Sequence, residues 1–99
     1  MESNYYIKVK TGFFKTIKYK LIVKKNLIEL IPEKSEENEI SLKENEIVSI
    51  FLRKKDKVYV DFNLKEGGIT GTILNIKDAQ KIFKLFKENM NKNIIYEED

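Results

Sequence analysis

The hydrophobic period of this chain changes once along its length. Seven short segments place apolar side chains at alternate positions, the period of a β-strand with one buried face, and turn residues or polar runs separate them. One C-terminal segment instead repeats its apolar residues at i, i+3, i+4, i+7 and i+11, the spacing of an amphipathic helix. The strand segments are 5–10, 16–23, 27–31, 39–42, 47–53, 58–64 and 69–74, and the helical stripe is Ala79, Ile82, Phe83, Phe86 and Met90.

This order of elements predicts a mainly β fold with one C-terminal α-helix, in the α+β class. A sheet of seven strands in a chain of 99 residues cannot stay flat and still bury one face. We therefore expect a strongly bent antiparallel sheet, or open barrel, that the helix closes. The strand over 58–64 and the stripe of the helix predict a core led by Val58, Val60, Phe62, Ile82, Phe83 and Phe86.

Local signals refine this outline. Residues 24–26 are predicted to form a tight turn, because the Asn at its end tolerates the left-handed backbone conformation that hairpin turns use. Gly71 lies inside a strand segment, which indicates a bulge or a close backbone approach. Asn75 is a candidate N-cap of the helix, with Asp78 three residues later as the carboxylate of a capping box. The helix is predicted to end within 89–93, where three Asn residues cluster.

The length of the chain suits a single domain over 1–99, with a core over 5–90 and a short acidic tail over 91–99. The tail is predicted either to be loose or to be held down by Ile94 and Tyr96. The absence of Cys excludes a disulfide framework and a thiolate metal site. The first residues do not resemble a signal peptide, and no apolar run approaches the ~20 residues of a membrane span. We therefore expect a cytoplasmic protein.

Catalytic chemistry has little support in the sequence. The chain has no His and no Cys, which removes the most frequent general bases, metal ligands and thiol nucleophiles. The carboxylate pairs at 36–37 and 97–98 fall in polar segments, where water solvates them. The sequence therefore predicts a protein that is not an enzyme and that has no cofactor and no metal.

Two neighbouring segments carry a family resemblance. Glu39-Ile-Ser-Leu, followed by Glu46-Ile-Val-Ser-Ile-Phe-Leu, resembles the fourth and fifth strands of bacterial pleckstrin-homology-like domains and of the related GRAM domains. The strand count and the terminal helix extend the resemblance from Tyr5 to Met90. It implies a seven-stranded bent sheet capped by the helix. Many eukaryotic members carry a Trp in that helix and this chain has none, which leaves the subfamily open.

The hairpin between the first two strands is the candidate ligand site. In lipid-binding members of the family, basic residues of this hairpin hold the phosphates of an inositol headgroup. The family's Lys-x-Arg pair is matched here only by Lys18-Tyr19-Lys20, and the acidic loop 33–39 is expected to rim the same opening and repel phosphate. In the alternative interpretation, the lysines line the solvent face of a strand and protect its edge from aggregation. The candidate residues are Lys8, Lys10, Lys15, Lys18 and Lys20.

Three apolar residues are candidates for contact with a partner protein. Phe13 and Phe14 are adjacent, so on a strand they would point to opposite faces, one to the core and one outward. Leu85 lies off the main stripe of the helix. In the alternative interpretation, all three pack within the domain.

Together these features predict a non-catalytic module that mediates protein–protein contacts or self-association, without a small-molecule substrate. The alternative function is peripheral binding of anionic lipid through the first hairpin. The basic hairpin at 53–57 is interpreted as a solvated turn, and without a nucleic-acid-binding motif no nucleic acid partner is expected. Because Arg53 is the only arginine, the lysine content also fits an A/T-rich genome.

Overall fold

The computed structural model describes residues 5–11, 15–34 and 36–99. Within these ranges the chain forms eight strands and one α-helix. The strands are β1 (Tyr5–Thr11), β2 (Lys15–Lys24), β3 (Leu27–Pro32), β4 (Ile40–Lys43), β5 (Ile47–Lys54), β6 (Val58–Leu64), β7 (Gly68–Ile73) and β8 (Asn93–Glu98), and the helix is α1 (Ala79–Asn89). Two 3-10 turns, Glu44–Glu46 and Ile76–Asp78, precede β5 and α1.

All eight strands form one sheet in the order β4-β3-β2-β1-β7-β6-β5-β8. Neighbouring strands are antiparallel, except that β8 runs parallel to β5. Eight strands laid flat would make a slab about 34 Å wide and about 10 Å thick. The Cα extents are 31 × 31 × 28 Å, so the sheet is strongly bent. The mainly β architecture with one C-terminal helix is confirmed.

The predicted number of seven strands is wrong by one. The additional strand is β8, which lies in the segment predicted to be an acidic tail. Ile94 is buried, and the ring of Tyr96 stacks on the ring of Phe83 with a centroid distance of 5.3 Å. Of the two predicted states of this segment, the structure has the one in which Ile94 and Tyr96 hold it against the domain.

The core lies between the inner face of the bent sheet and α1. Phe62 of β6 meets Phe86 of α1 edge to face, with ring centroids 5.9 Å apart. Phe83 lies at the margin of the core and is half-buried. The ring of Tyr96 and the side chain of Lys87 cover part of its surface. The other five predicted core residues are completely buried: Val58, Val60, Phe62, Ile82 and Phe86.

The structure confirms the prediction for Gly71 and contradicts the one for Asn75. Gly71 does mark a close approach, since a Cβ atom there would lie 2.9 Å from the carbonyl oxygen of Lys8. Asn75, by contrast, makes no side-chain capping bond to the turn that follows it. Its Oδ1 instead accepts a hydrogen bond from the backbone N–H of Tyr6 at 3.0 Å.

The helix begins at Ala79, after the 3-10 turn. It ends at Asn89, within the predicted range.

The turn between β2 and β3 is tied to the end of the helix. Asn26 has a φ of 62°, the left-handed conformation predicted for this turn. Its N–H donates to the carbonyl of Asn89 at 2.9 Å, and its own carbonyl accepts from the N–H of Glu44 at 3.0 Å. The last turn of α1 is thereby fixed over the first half of the sheet.

Candidate functional site

The outer face of the sheet, which points away from α1, carries the polar residues that the strands do not bury. Strand register places these residues in rows that cross the sheet. Lys8 of β1 lies opposite Lys18 of β2 on one side and Thr72 of β7 on the other. Thr72 is opposite Tyr59 of β6, which is opposite Arg53 of β5. This face therefore joins residues from both halves of the chain.

A groove of about 470 Å³ lies on this face over β1, β6 and β7. We call it the lysine groove. Leu74 and Ile76 line it and are exposed by 37% and 41% of their surface. Its cations are Lys8, Lys10 and Lys57, and its hydroxyl groups belong to Thr16, Thr70, Thr72 and Tyr59.

The three cations of the lysine groove are not paired within the described part of the chain. Among the described residues, no carboxylate oxygen lies within 4 Å of the side-chain ammonium of Lys8, Lys10 or Lys57, although Asp56 Oδ1 accepts a hydrogen bond from the backbone N–H of Lys57 at 3.0 Å. Asp61 is the acidic residue nearest in register, opposite Thr70, and it accepts a hydrogen bond from the Thr70 hydroxyl at 2.8 Å. The groove is therefore a positively charged depression with an apolar end.

The candidate lysines of the first hairpin divide into two groups. Lys8 and Lys10 line the lysine groove, whereas Lys15 and Lys18 line a second cavity beside the acidic loop. Lys20 lies opposite Tyr6 on the outer face. The structure therefore does not gather all five side chains around one opening, and their role in lipid binding stays a prediction.

The acidic loop neutralises the lysines nearest to it. Lys15 Nζ lies 2.6 Å from Glu37 Oε1, and Lys18 Nζ lies 3.2 Å from Glu33 Oε1. The hydrogen bond to Glu37 raises the pKa of Lys15. Lys18 also lies 4.9 Å from the ring centroid of Tyr6. A phosphate entering this cavity would have to displace two carboxylates.

The interpretation of the lysines as protection of a sheet edge is wrong. β1 lies between β2 and β7, and β2 lies between β3 and β1, so neither strand is at an edge. The two ends of the sheet are β4 and β8. The lysines of β1 occupy the middle of the outer face, where edge protection has no purpose.

A second feature of the outer face is an apolar pair beside the β8 edge. Phe51 of β5 and Ile95 of β8 are cross-strand neighbours. Ile95 is 37% exposed, and the guanidinium of Arg53 lies 5.2 Å from the ring centroid of Phe51. Arg53 also approaches Glu97 of β8, with Nε and Oε2 3.8 Å apart. We call Phe51 and Ile95 the edge pair.

The outer edge of β8 has no strand beside it in the described part of the chain. β8 pairs with β5 without a register shift over its whole length. Its sequence, Asn-Ile-Ile-Tyr-Glu-Glu, contains no Pro and no Lys. Bulges, Pro and Lys are devices that protect natural edge strands from further pairing, and β8 has none of these three; its charged residues are Glu97 and Glu98, at its C-terminal end.

The structure does not test the role of the three predicted protein-contact residues. Phe13 and Phe14 lie outside the described residues. Leu85 is half-buried on α1, and its carbonyl accepts a hydrogen bond from Asn89 Nδ2 at 2.8 Å. Its role as a contact stays a prediction.

The sequence analysis missed the exposed residues of the groove and of the edge. Alternation within 58–64 already placed Tyr59 outside, but nothing in the sequence indicated that β7 pairs with β1. The residues missed are Leu74, Ile76 and Ile95.

Neither a metal-binding cluster nor a membrane-spanning helix occurs among the described residues. No group of three or more His, Cys, Asp or Glu side chains there is placed to hold a metal ion. In that same part of the chain, no helix combines the length and the apolar character needed to cross a bilayer.

Comparison with known proteins identifies the fold and no family. No protein-family model and no curated protein matches the sequence. Among solved structures, the chain is similar to one from the structure of the Spt16D Pob3N heterodimer, with a TM-score of 0.62 and 14% sequence identity. The match covers 99% of this chain and 52% of the other, so this chain spans about half of that neighbour's length. A pleckstrin-homology-like fold is consistent with this similarity and with the bent, open sheet. A bacterial origin and a relation to GRAM domains stay predictions.

Proposed function

We propose that this protein is a non-catalytic assembly module in which two copies join edge to edge through β8. The observation that carries the proposal is the outer edge of β8, a strand of six residues that has no strand beside it among the described residues. An exposed strand edge offers a row of main-chain donors and acceptors to another strand. The occupant of this edge is a second copy of the chain.

The sequence of β8 is complementary to itself when two copies run antiparallel. With Ile95 of one copy opposite Ile95 of the other, Asn93 falls opposite Glu97, and Lys92, the residue just before β8, falls opposite Glu98. Opposite charges in such cross-strand pairs stabilise a sheet. Ile94 falls opposite Tyr96, and both residues face the core side.

The edge pair lies on the same side as the proposed junction. Ile95 points outward next to Phe51, so pairing through β8 would bring both edge pairs into one apolar cluster across the two-fold axis. Such an isologous contact closes after two copies. The similar solved chain is part of a heterodimer, which supports the use of this fold in protein assembly.

Size-exclusion chromatography with light scattering over micromolar concentrations tests this proposal. We expect the mass to rise with concentration to twice the 11.7 kDa of one chain. Ile95→Lys should give a monomer at every concentration, because two like charges would meet at the axis. Ile76→Lys is the matched control, since it places the same charge on an exposed Ile away from β8, and it should leave the dimer intact.

A charge exchange tests the register. Lys92→Glu and Glu98→Lys should each weaken the dimer, and the double variant should restore it. A wild-type protein that is monomeric at all concentrations would contradict the proposal. So would a dimer that Ile95→Lys leaves unchanged while its circular dichroism spectrum matches wild type.

A further inference from the structure

We propose that the lysine groove binds an extended acidic segment of a partner protein, one that carries a large aliphatic residue among its carboxylates. This site lies over β1, β6 and β7, apart from the β8 edge, so it does not depend on self-association. The chemistry of the groove supports the choice of ligand in three steps.

The first step concerns the unpaired cations. Lys8 faces Lys18 across the β1–β2 pair, and like charges directly opposite each other destabilise a sheet. The positive charge of Lys18 is balanced by its ion pair with Glu33 and by its cation–π contact with the ring of Tyr6. Lys8 has no comparable carboxylate among the described residues, and an acidic ligand would supply it.

The second step concerns the shape and polarity of the groove. A volume of about 470 Å³ is sufficient for a few peptide side chains and falls in the range of binding clefts. The threonine hydroxyls lie between the lysines, with Thr16 opposite Lys10 and Thr72 opposite Lys8. Hydroxyls can donate to carboxylates or to peptide carbonyls, so they add orientation to the attraction of the lysines.

The third step separates a peptide from phosphate-containing ligands. Leu74 and Ile76 form an apolar end that a phosphate or a sugar would not use. The groove contains no Arg, the residue that recognises phosphate with two parallel hydrogen bonds. It contains one aromatic residue, Tyr59, whereas platforms for single-stranded nucleic acid stack successive bases on several. An acidic peptide with an aliphatic side chain uses all of these features.

Fluorescence anisotropy with a labelled peptide Glu-Glu-Leu-Glu-Glu-Ile-Glu-Glu tests the proposal. We expect saturable binding that weakens as salt is raised, because exposed charges are screened. Replacing all Glu of the peptide by Gln should abolish binding. Replacing its Leu and Ile by Ser should weaken binding about tenfold, because the partly open apolar end formed by Leu74 and Ile76 would lose its contact with the ligand.

Protein variants locate the binding site. Lys8→Gln and Lys57→Gln should each weaken binding about tenfold, the effect of losing one charge-assisted hydrogen bond. Lys84→Gln removes the same charge from the exposed face of α1 and should leave binding unchanged. Ile95→Lys should bind as wild type does, which separates this site from the proposed dimer.

Three outcomes would overturn the inference. One is the absence of binding up to millimolar peptide. Another is an equal loss of affinity in Lys84→Gln and Lys8→Gln, which would mean attraction by net charge alone. The third is stronger Lys8-dependent binding of a ten-nucleotide oligo-dT, or of phosphatidylserine vesicles, than of the peptide.

Discussion

Gly71 is a residue whose missing side chain permits a strand pairing. It lies opposite Val9 in the β1–β7 pair, and a Cβ atom there would lie 2.6 Å from Ile7 Cδ1 and 2.9 Å from the carbonyl oxygen of Lys8. We predict that Gly71→Ala lowers the free energy of unfolding by about 1–3 kcal/mol, the usual cost of overpacking. Urea unfolding measures this change.

A double-mutant cycle identifies the contact responsible. Ile7→Val removes Cδ1, the atom that the new Cβ would approach most closely. The double variant with Gly71→Ala should lose less free energy of unfolding than the sum of the losses in the two single variants. The effects of substitutions at residues in contact are not additive. Additive costs would show that the contact with Ile7 Cδ1 is not the cause, because Ile7 Cγ1 at 2.8 Å and the carbonyl oxygen of Lys8 at 2.9 Å remain beside the new Cβ in the double variant.

Tyr96 is a titratable residue whose pKa the fold raises. Burial, and then the hydrogen bond from its hydroxyl to Glu98, raise its pKa to about 12. The folded state thus favours the neutral phenol. The stability this provides is complete below pH 10, the usual pKa, and is lost as the pH rises from 10 towards 12.

Tyrosinate absorbance tests this shift. We predict that the difference between the titration curves of wild type and Tyr96→Phe is one ionisation with a midpoint near pH 12. Glu98→Gln should move this midpoint towards 10 without reaching it, because burial is the larger cause. A midpoint near pH 10 in the folded protein would show that Tyr96 is not held as described.

Among the elements, β8 is the one whose role differs most from expectation. Ile94 and Ile95 are adjacent, yet Ile94 is 8% exposed and Ile95 is 37% exposed. We predict that Ile94→Ala lowers the free energy of unfolding by about 2–3 kcal/mol, as for a buried aliphatic side chain. Ile95→Ala should cost less than about 1 kcal/mol, as most surface changes do.

Urea unfolding at concentrations low enough to keep the protein monomeric measures both variants. Each change removes the same atoms, so the comparison reports burial alone. Equal costs for the two, or a negligible cost for Ile94→Ala, would mean that the strand does not pack on the domain.

The seven predicted strands were recoverable from the sequence because each alternates along its own length. The clearest example is 58–64, where Val58, Val60 and Phe62 are buried and the residues between them are not. β8 offers only two adjacent Ile and one Tyr, and its partner β5 lies about forty residues earlier. Local pattern carries no information on such a parallel pairing, so the strand was mistaken for a tail.

The helix shows a similar limit at its start. Asn75 and Asp78 have the residue types of a capping box, and the pattern predicted one. The structure uses Asn75 Oδ1 for the N–H of Tyr6, a residue 69 positions away. The side chain predicted to cap the helix thus makes a long-range hydrogen bond to β1 instead.

At the scale of the whole molecule, the mainly basic segment 1–25 and the mainly acidic segment 26–47 pair with each other, and so do the basic hairpin 53–57 and the acidic end of the chain. The basic first strands meet the following acidic segment through Lys15–Glu37, Lys18–Glu33 and Lys24–Glu29. The basic β5 hairpin meets the acidic end of the chain through Arg53–Glu97 and Lys55–Asp99. Exposed pairs of this kind contribute only ~0–1 kcal/mol each. Their effect is to leave the lysine groove as a separate positive region.

The candidate site was only partly predictable for the same reason. Lys8 and Lys10 were identified from the sequence, as members of a hairpin. Apart from Thr16 of β2, the residues that complete the groove with them lie in β6 and β7 or directly beside these strands, and the pairing of β1 with β7 brings them together. That pairing joins Ile7 to Ile73 and has no local signal.

The pairing of β1 with β7 also governs the order in which the domain can form. The hairpins from β1 to β4 close over short loops and can form while the chain is still being synthesised. β1 can pair with β7 only after more than sixty further residues have been synthesised. Until then, the free edge of β1 and the inner face of the sheet formed by β1 to β4 remain uncovered. Contacts at such separation are slow to form, and exposed edges are prone to aggregation in the meantime. Translation speed and chaperone access over that interval therefore matter more for this protein than for a helical domain of equal length.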